Sequence, residues 1–88
     1  MTRKELITNP TYWLTQMQTD IFREIKTYQV VNNMSDEELS EFLDIATYTL
    51  RQILSGDCNL DMNELCEIMV KIDIAPKLNL MKIDDYDK

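Results

Sequence analysis

The sequence has no histidine, and so lacks the commonest general base and the commonest zinc ligand. It has one glycine, Gly56, and no glycine-rich phosphate loop can be built from one. The two cysteines, Cys58 and Cys66, have neither a Cys-x-x-Cys partner nor the number for a disulfide framework, and read as reduced cytosolic thiols. No apolar run approaches the roughly 18 residues of a membrane span. Residues 1–7 lack the apolar block of a signal peptide, so a cytoplasmic location is expected. Asp57, Asn59 and Asp61 have the spacing of a calcium loop's first ligands. The sixth and twelfth places are Met62 and Ile68, which excludes such a loop. The six methionines read as core filler. No catalytic constellation remains, and no enzyme, cofactor, metal or small-molecule substrate is expected.

What is present is a small, acidic, helix-forming chain. At 88 residues, 44% of them hydrophobic and only two of them proline, it reads as one all-α domain. A chain this short buries only about 60–65% of its unfolded surface, so its stability should be modest. The net charge of −7 is uneven. Residues 1–34 carry four basic groups against three acids. Residues 35–56 carry Arg51 against Asp36, Glu37, Glu38, Glu41 and Asp44. Residues 57–88 carry four lysines against eight acids.

The most informative stretch is Ser35–Gly56. Ser35 with Glu38 three residues on is a capping box. Leu39, Phe42 and Leu43 then share one face. Asp44 tolerates the left-handed conformation and can stop the helix there. A second helix follows, roughly Thr47–Ser55, with Leu50, Ile53 and Leu54 inward and Gly56 as its stop. Its outward residues are Thr47, Tyr48, Arg51 and Gln52.

Before this stretch, residues 1–8 read as a flexible arm. Asn9-Pro10 is a strong helix start, and the helix should run to Asn32 or Asn33. Leu14, Met17, Ile21, Ile25, Tyr28 and Val31 form its predicted buried stripe. Trp13, Phe22 and Val30 lie off the stripe. The front of this helix is too long for a small bundle to cover, so Tyr12, Trp13 and Gln16 are expected to form a dimer contact or to dock the tail. After Gly56, Asp57-Cys58-Asn59-Leu60 reads as a loop. Asp61 caps a further helix, with Glu64 repeating the capping box and Met62, Leu65, Ile68, Met69 and Ile72 facing inward. Asp73 and Ile74 end it before Pro76. Residues 77–83 are expected to be a short extended segment on the first long helix. Residues 84–88 are expected to be an acidic, frayed tail.

The words Glu37-Glu38-Leu39-Ser40, Ile45 after the turn, and Ile53-Leu54-Ser55-Gly56 resemble the lambda-repressor-like helix-turn-helix family of Cro and phage repressors (XRE-type). Asn9-Pro10-Thr11-Tyr12-Trp13-Leu14 and Ile74-Ala75-Pro76-Lys77 resemble a small-regulator subgroup with a longer first helix. The resemblance implies a compact four- to five-helix DNA-binding domain over residues 9–83, of phage or mobile-element type. It implies a homodimeric transcriptional regulator with its second helix in the major groove of double-stranded DNA and recognition helices about 34 Å apart. Arg51 would then take guanine, Gln52 adenine, and Thr47 or Tyr48 a thymine methyl or a phosphate.

Four positions depart from the family pattern. Asp36 replaces a glutamine near a phosphate, and Asp44 the turn glycine. Ser40 replaces an alanine, and Ala46 the serine cap. Without that serine, Thr47 or Asp44 must cap the helix, or the cap is lost at about 1 kcal/mol. The acidity of Ser35–Gly56 favours an alternative: a protein-binding module on the same fold (antirepressor, antitoxin-like partner or DNA-mimicking inhibitor) that binds no DNA.

Overall fold

A computed structural model describes residues 2–56 and 60–87. The loop expected at Asp57–Leu60 therefore lies mostly outside the described residues. Among the described residues there are six α-helices and no strand. They are α1 (Arg3–Ile7), α2 (Pro10–Val31), α3 (Asp36–Leu43), α4 (Thr47–Leu54), α5 (Met62–Lys71) and α6 (Ile83–Tyr86). The architecture is all-α, with six helices among the described residues where four to five were expected from the sequence; α1 and α6 are the short ones.

Local chemistry explains where each helix starts. The Asn9 side chain accepts from the Thr11 amide, and Pro10 fills a position that needs no donor. Ser35 and Glu38 make both bonds of the capping box. Asp61 accepts from the Glu64 amide, but the expected return bond from Glu64 is not made. A side-chain hydrogen bond to Asp61 favours the protonated Glu64 carboxyl, and repulsion between the two charges adds to it, so Glu64 lies above its usual range.

The helix ends share one device. Asn33, Asp44 and Asp73 have positive φ, at 51°, 58° and 64°. The next residue in each case, Met34, Ile45 or Ile74, donates its amide back to Gln29, Ser40 or Met69. That six-to-one bond is the Schellman motif. All three following side chains pack against the core. In a chain with one glycine, Asn and Asp supply the left-handed residue, and the apolar residue after it fastens the end.

The core joins Ile25 of α2, Leu39 and Leu43 of α3, Leu50 and Ile53 of α4, and Ile68, Met69 and Ile72 at α5. Full burial of each such side chain contributes roughly 1.5–3 kcal/mol. Lys71 donates to the Leu43 carbonyl at 2.9 Å, satisfying the end of α3. The predicted stripe on α2 holds at Ile21, Ile25 and Tyr28 but fails at Leu14, Met17 and Val31, which are exposed. Phe42 is also exposed and stacks on Tyr28, 5.6 Å between centroids. For Leu14 and Met17 the reason is length, whereas Val31 is the last residue of α2. At 1.5 Å per residue α2 is about 33 Å long, whereas α3, α4 and α5 have 8, 8 and 10 residues. They cover only its second half. The molecule is accordingly elongated, 43 × 24 × 23 Å.

The front half of α2 meets the two ends of the chain. Residues 3–7, expected as part of a flexible arm, form α1, capped by Thr2 and anchored by the buried Ile7. The tail expected to fray forms α6 at Ile83–Tyr86. Trp13 holds both. Its indole donates to the Ile7 carbonyl at 2.7 Å, and its ring meets Tyr86 edge-on at 5.0 Å. Arg3 lies over the Tyr86 ring and pairs with Asp87 at 2.8 Å. Between α5 and α6, residues 74–82 carry no helix or turn. Leu78 and Leu80, expected to pack on α2, are exposed.

Candidate functional site

The candidate site is the outer edge of α4. Leu50 and Ile53 are buried in the core, which fixes the rotation of the helix. Tyr48, Arg51 and Gln52 are then left on the edge away from the core, at the i, i+3 and i+4 spacing of one face. Tyr48 is 71% exposed. Gln52 donates to the Tyr48 hydroxyl at 3.1 Å, so these two side chains are held as a pair.

Thr47 does not join that edge. Its hydroxyl lies 2.9 Å from the hydroxyl of the buried Ser40, which also bonds the Glu37 carbonyl. Ser40 is small enough to let α3 and α4 close, and its hydroxyl turns Thr47 toward α3. Ala46 offers no side-chain cap to α4, and neither Thr47 nor Asp44 replaces it.

Arg51 is engaged by α3. Its Nε donates to Asp36 Oδ2 at 3.4 Å, and its Nη2 to Glu37 Oε1 at 3.1 Å. The other Asp36 oxygen accepts from the Gln29 side-chain Nε2 at 2.7 Å, and Lys26 donates to the Gln29 side-chain Oε1 at 3.2 Å. A hydrogen-bonded chain therefore runs from α2 through α3 to α4. Gln29 chiefly holds the Asp36 carboxyl below its usual range; partial burial opposes this, and Arg51 adds to it. Gln29 itself is buried, with its donor and its acceptor both used. Lys26 and Gln29 were not among the expected site residues. The available signal was a polar residue four places after Ile25, on a helix face that is otherwise apolar.

Of the residues expected at a dimer or tail contact, Tyr12 and Trp13 pack on each other, and Trp13 reaches Tyr86 of the tail. Gln16 lies a turn further on, on a groove facing residues 77–81. Among the described residues no group of three His, Cys, Asp or Glu is placed to hold a metal ion, and no helix is long and apolar enough to cross a membrane. Chemically, the α4 edge offers a planar cation, an amide and a phenol, flanked by carboxylates.

No protein family, no curated protein and no solved structure matches this chain.

Proposed function

We propose that this chain is a sequence-specific DNA-binding regulator of the lambda-repressor-like kind, working as a homodimer with α4 in the major groove. The observation that carries the reading is the outward Tyr48–Arg51–Gln52 edge, exposed at Tyr48 and Arg51 and half-buried at Gln52, on a short helix whose rotation is fixed by Leu50 and Ile53. Arginine and glutamine are the side chains whose forked donors and acceptors match guanine and adenine edges. The Arg51 ion pairs do not prevent this. The Glu37 pair is exposed on both sides and the Asp36 pair is exposed at Arg51, and exposed pairs contribute about 0–1 kcal/mol. A bidentate arginine–guanine contact discriminates by about 1–3 kcal/mol. Exchanging a carboxylate for a base edge is therefore affordable.

Phosphate attraction is weak here because Asp36 and Glu37 stand beside the edge. Binding then depends more on base contacts than in a basic regulator. Selection from a random-sequence duplex pool at low salt tests this. An enriched motif whose binding is lost in Arg51→Ala supports the reading. Failure to enrich any motif overturns it.

A second reading rests on Asp36 and Glu37 both engaging Arg51. On that reading the acidic α3–α4 face binds a basic protein surface and not DNA. Failure of duplex selection, with saturable binding to a basic partner lost on Glu37→Lys, would favour it.

A further inference from the structure

We propose that Glu37 is a specificity-determining residue of the α4 edge: it holds Arg51 Nη2 in the free protein and must leave before Arg51 can take a guanine, whereas Asp36 stays on Nε. The inference rests on the DNA reading above and names the residue of α3 that regulates it.

A guanidinium is a planar fork with two edges that can each bond a pair of acceptors. The side edge is Nε with Nη2, and the end edge is Nη1 with Nη2. Asp36 Oδ2 lies 3.4 Å from Nε and Glu37 Oε1 lies 3.1 Å from Nη2, so α3 takes the side edge. The end edge is left for guanine O6 and N7. It shares Nη2 with Glu37. A carboxylate on that nitrogen stands against the electronegative O6–N7 edge and is repelled by it.

The two carboxylates are held differently. The second oxygen of Asp36 accepts from Gln29 Nε2 at 2.7 Å, and the buried Gln29 amide is fixed in turn by Lys26 at 3.2 Å. The Asp36 side chain is 34% exposed, against 69% for Glu37. Among the described residues the Glu37 carboxylate has Arg51 as its one partner. Both residues lie in the first turn of α3, where the helix dipole favours either charge, so the dipole does not separate them. The neighbouring bonds do. Swinging Glu37 into water breaks one exposed pair and leaves nothing buried unpaired. Moving Asp36 also breaks its bond to Gln29 and leaves a buried amide donor unsatisfied, which is the larger loss.

Glu37 therefore weakens matched binding alone. At a site with the guanine, its pair with Arg51 is exchanged for the base. At a site without the guanine, Arg51 keeps Glu37 and nothing is exchanged. Repulsion between Glu37 and the phosphates acts on both sites alike, because phosphate contacts carry no sequence information. The ratio of the two affinities isolates the exchange.

Fluorescence anisotropy with two duplexes tests this: the selected one, and the same duplex with the guanine pair read by Arg51 replaced. Glu37→Gln should raise the ratio of the two affinities about two- to fivefold, the range of an exposed ion pair. Glu41→Gln removes an exposed charge of α3 that makes no bond to Arg51, and should leave the ratio unchanged. In an Arg51→Ala background, Glu37→Gln should leave it unchanged as well. An unchanged ratio for Glu37→Gln itself overturns the proposal, since Glu37 would then act by charge alone. A lower ratio overturns it too, since Glu37 would then brace Arg51. Either result leaves the DNA reading standing, because a duplex has been selected; where selection enriches no duplex, the proposal falls with that reading.

Discussion

Asp36 of α3 grips Arg51 of α4 while its second oxygen is held by the buried Gln29, at 3.4 and 2.7 Å respectively. Arg51, the proposed base-reading residue, is thus tethered to the second half of α2 through two hydrogen bonds. Tethering limits the rotamers of a long side chain, whose freedom costs up to about 2 kcal/mol to lose. It also places a negative charge where a phosphate would approach.

Neutralising that charge should therefore strengthen DNA binding. Asp36→Asn can still accept from Gln29 and removes the repulsion. The expected gain is on the order of tenfold at low salt, about 1.4 kcal/mol. Titration of the selected duplex by fluorescence anisotropy reads it. Unchanged or weaker binding would mean that the orienting bond outweighs the charge.

Acid should unfold the protein partly through two carboxylates. Gln29 lowers Asp36, and the Ser35 backbone amide lowers Glu38. Both folded values lie below the unfolded ones. Their stabilisation is fully present above the unfolded range, about pH 4, and is lost as pH falls through the folded values beneath it. Glu64 acts in the opposite sense, because protonated it hydrogen-bonds Asp61 and sheds the repulsion between the two charges. Melting temperatures between pH 7 and pH 2.5 should fall less steeply below pH 4 for Asp36→Asn with Glu38→Gln than for wild type. Equal slopes would show that neither group is linked to folding.

Two stabilising substitutions follow from the helix ends. Ala46 leaves α4 without a side-chain cap at φ −66°, ψ 144°, a conformation that a serine cap adopts. Ala46→Ser should add about 1 kcal/mol. Asp44 sits at φ 58°, where glycine carries no side-chain penalty. Asp44→Gly should be neutral to stabilising, whereas Asp44→Val should destabilise by about 1–2 kcal/mol. Urea melts distinguish these outcomes.

Trp13 should be what keeps both chain ends on α2. Trp13→Phe keeps a ring against Tyr86 and removes the donor to the Ile7 carbonyl, at a cost of about 1 kcal/mol. Faster amide exchange in residues 3–8, with α3 and α4 unchanged, is the expected pattern. Unchanged exchange in α1 would show that Ile7 burial alone holds it.

The legible parts of this fold were local ones. Asn9-Pro10, Ser35 with Glu38, and Asp44 each act within four residues, and the helices begin and end where those rules place them. The apolar faces of α4 and α5 were legible from their spacing. The coverage of α2 was not, because a stripe from Leu14 to Val31 says nothing of how long its partner helices are. Five residues with Leu6-Ile7 as their apolar content carry too little period to announce α1. The site was legible in part. Spacing put Tyr48, Arg51 and Gln52 on one edge, but Thr47 turned to Ser40, seven residues away. The grip of Asp36 on Arg51 spans fifteen residues and a turn, which no local pattern encodes.

The most direct measurement is a base-pair substitution scan of the selected duplex with wild type and Arg51→Ala. The account predicts that wild type loses about 1–3 kcal/mol when one guanine pair is replaced, and that Arg51→Ala is indifferent at that pair while keeping its preferences elsewhere. Equal weakening of Arg51→Ala on every sequence, with the guanine preference intact, would contradict it.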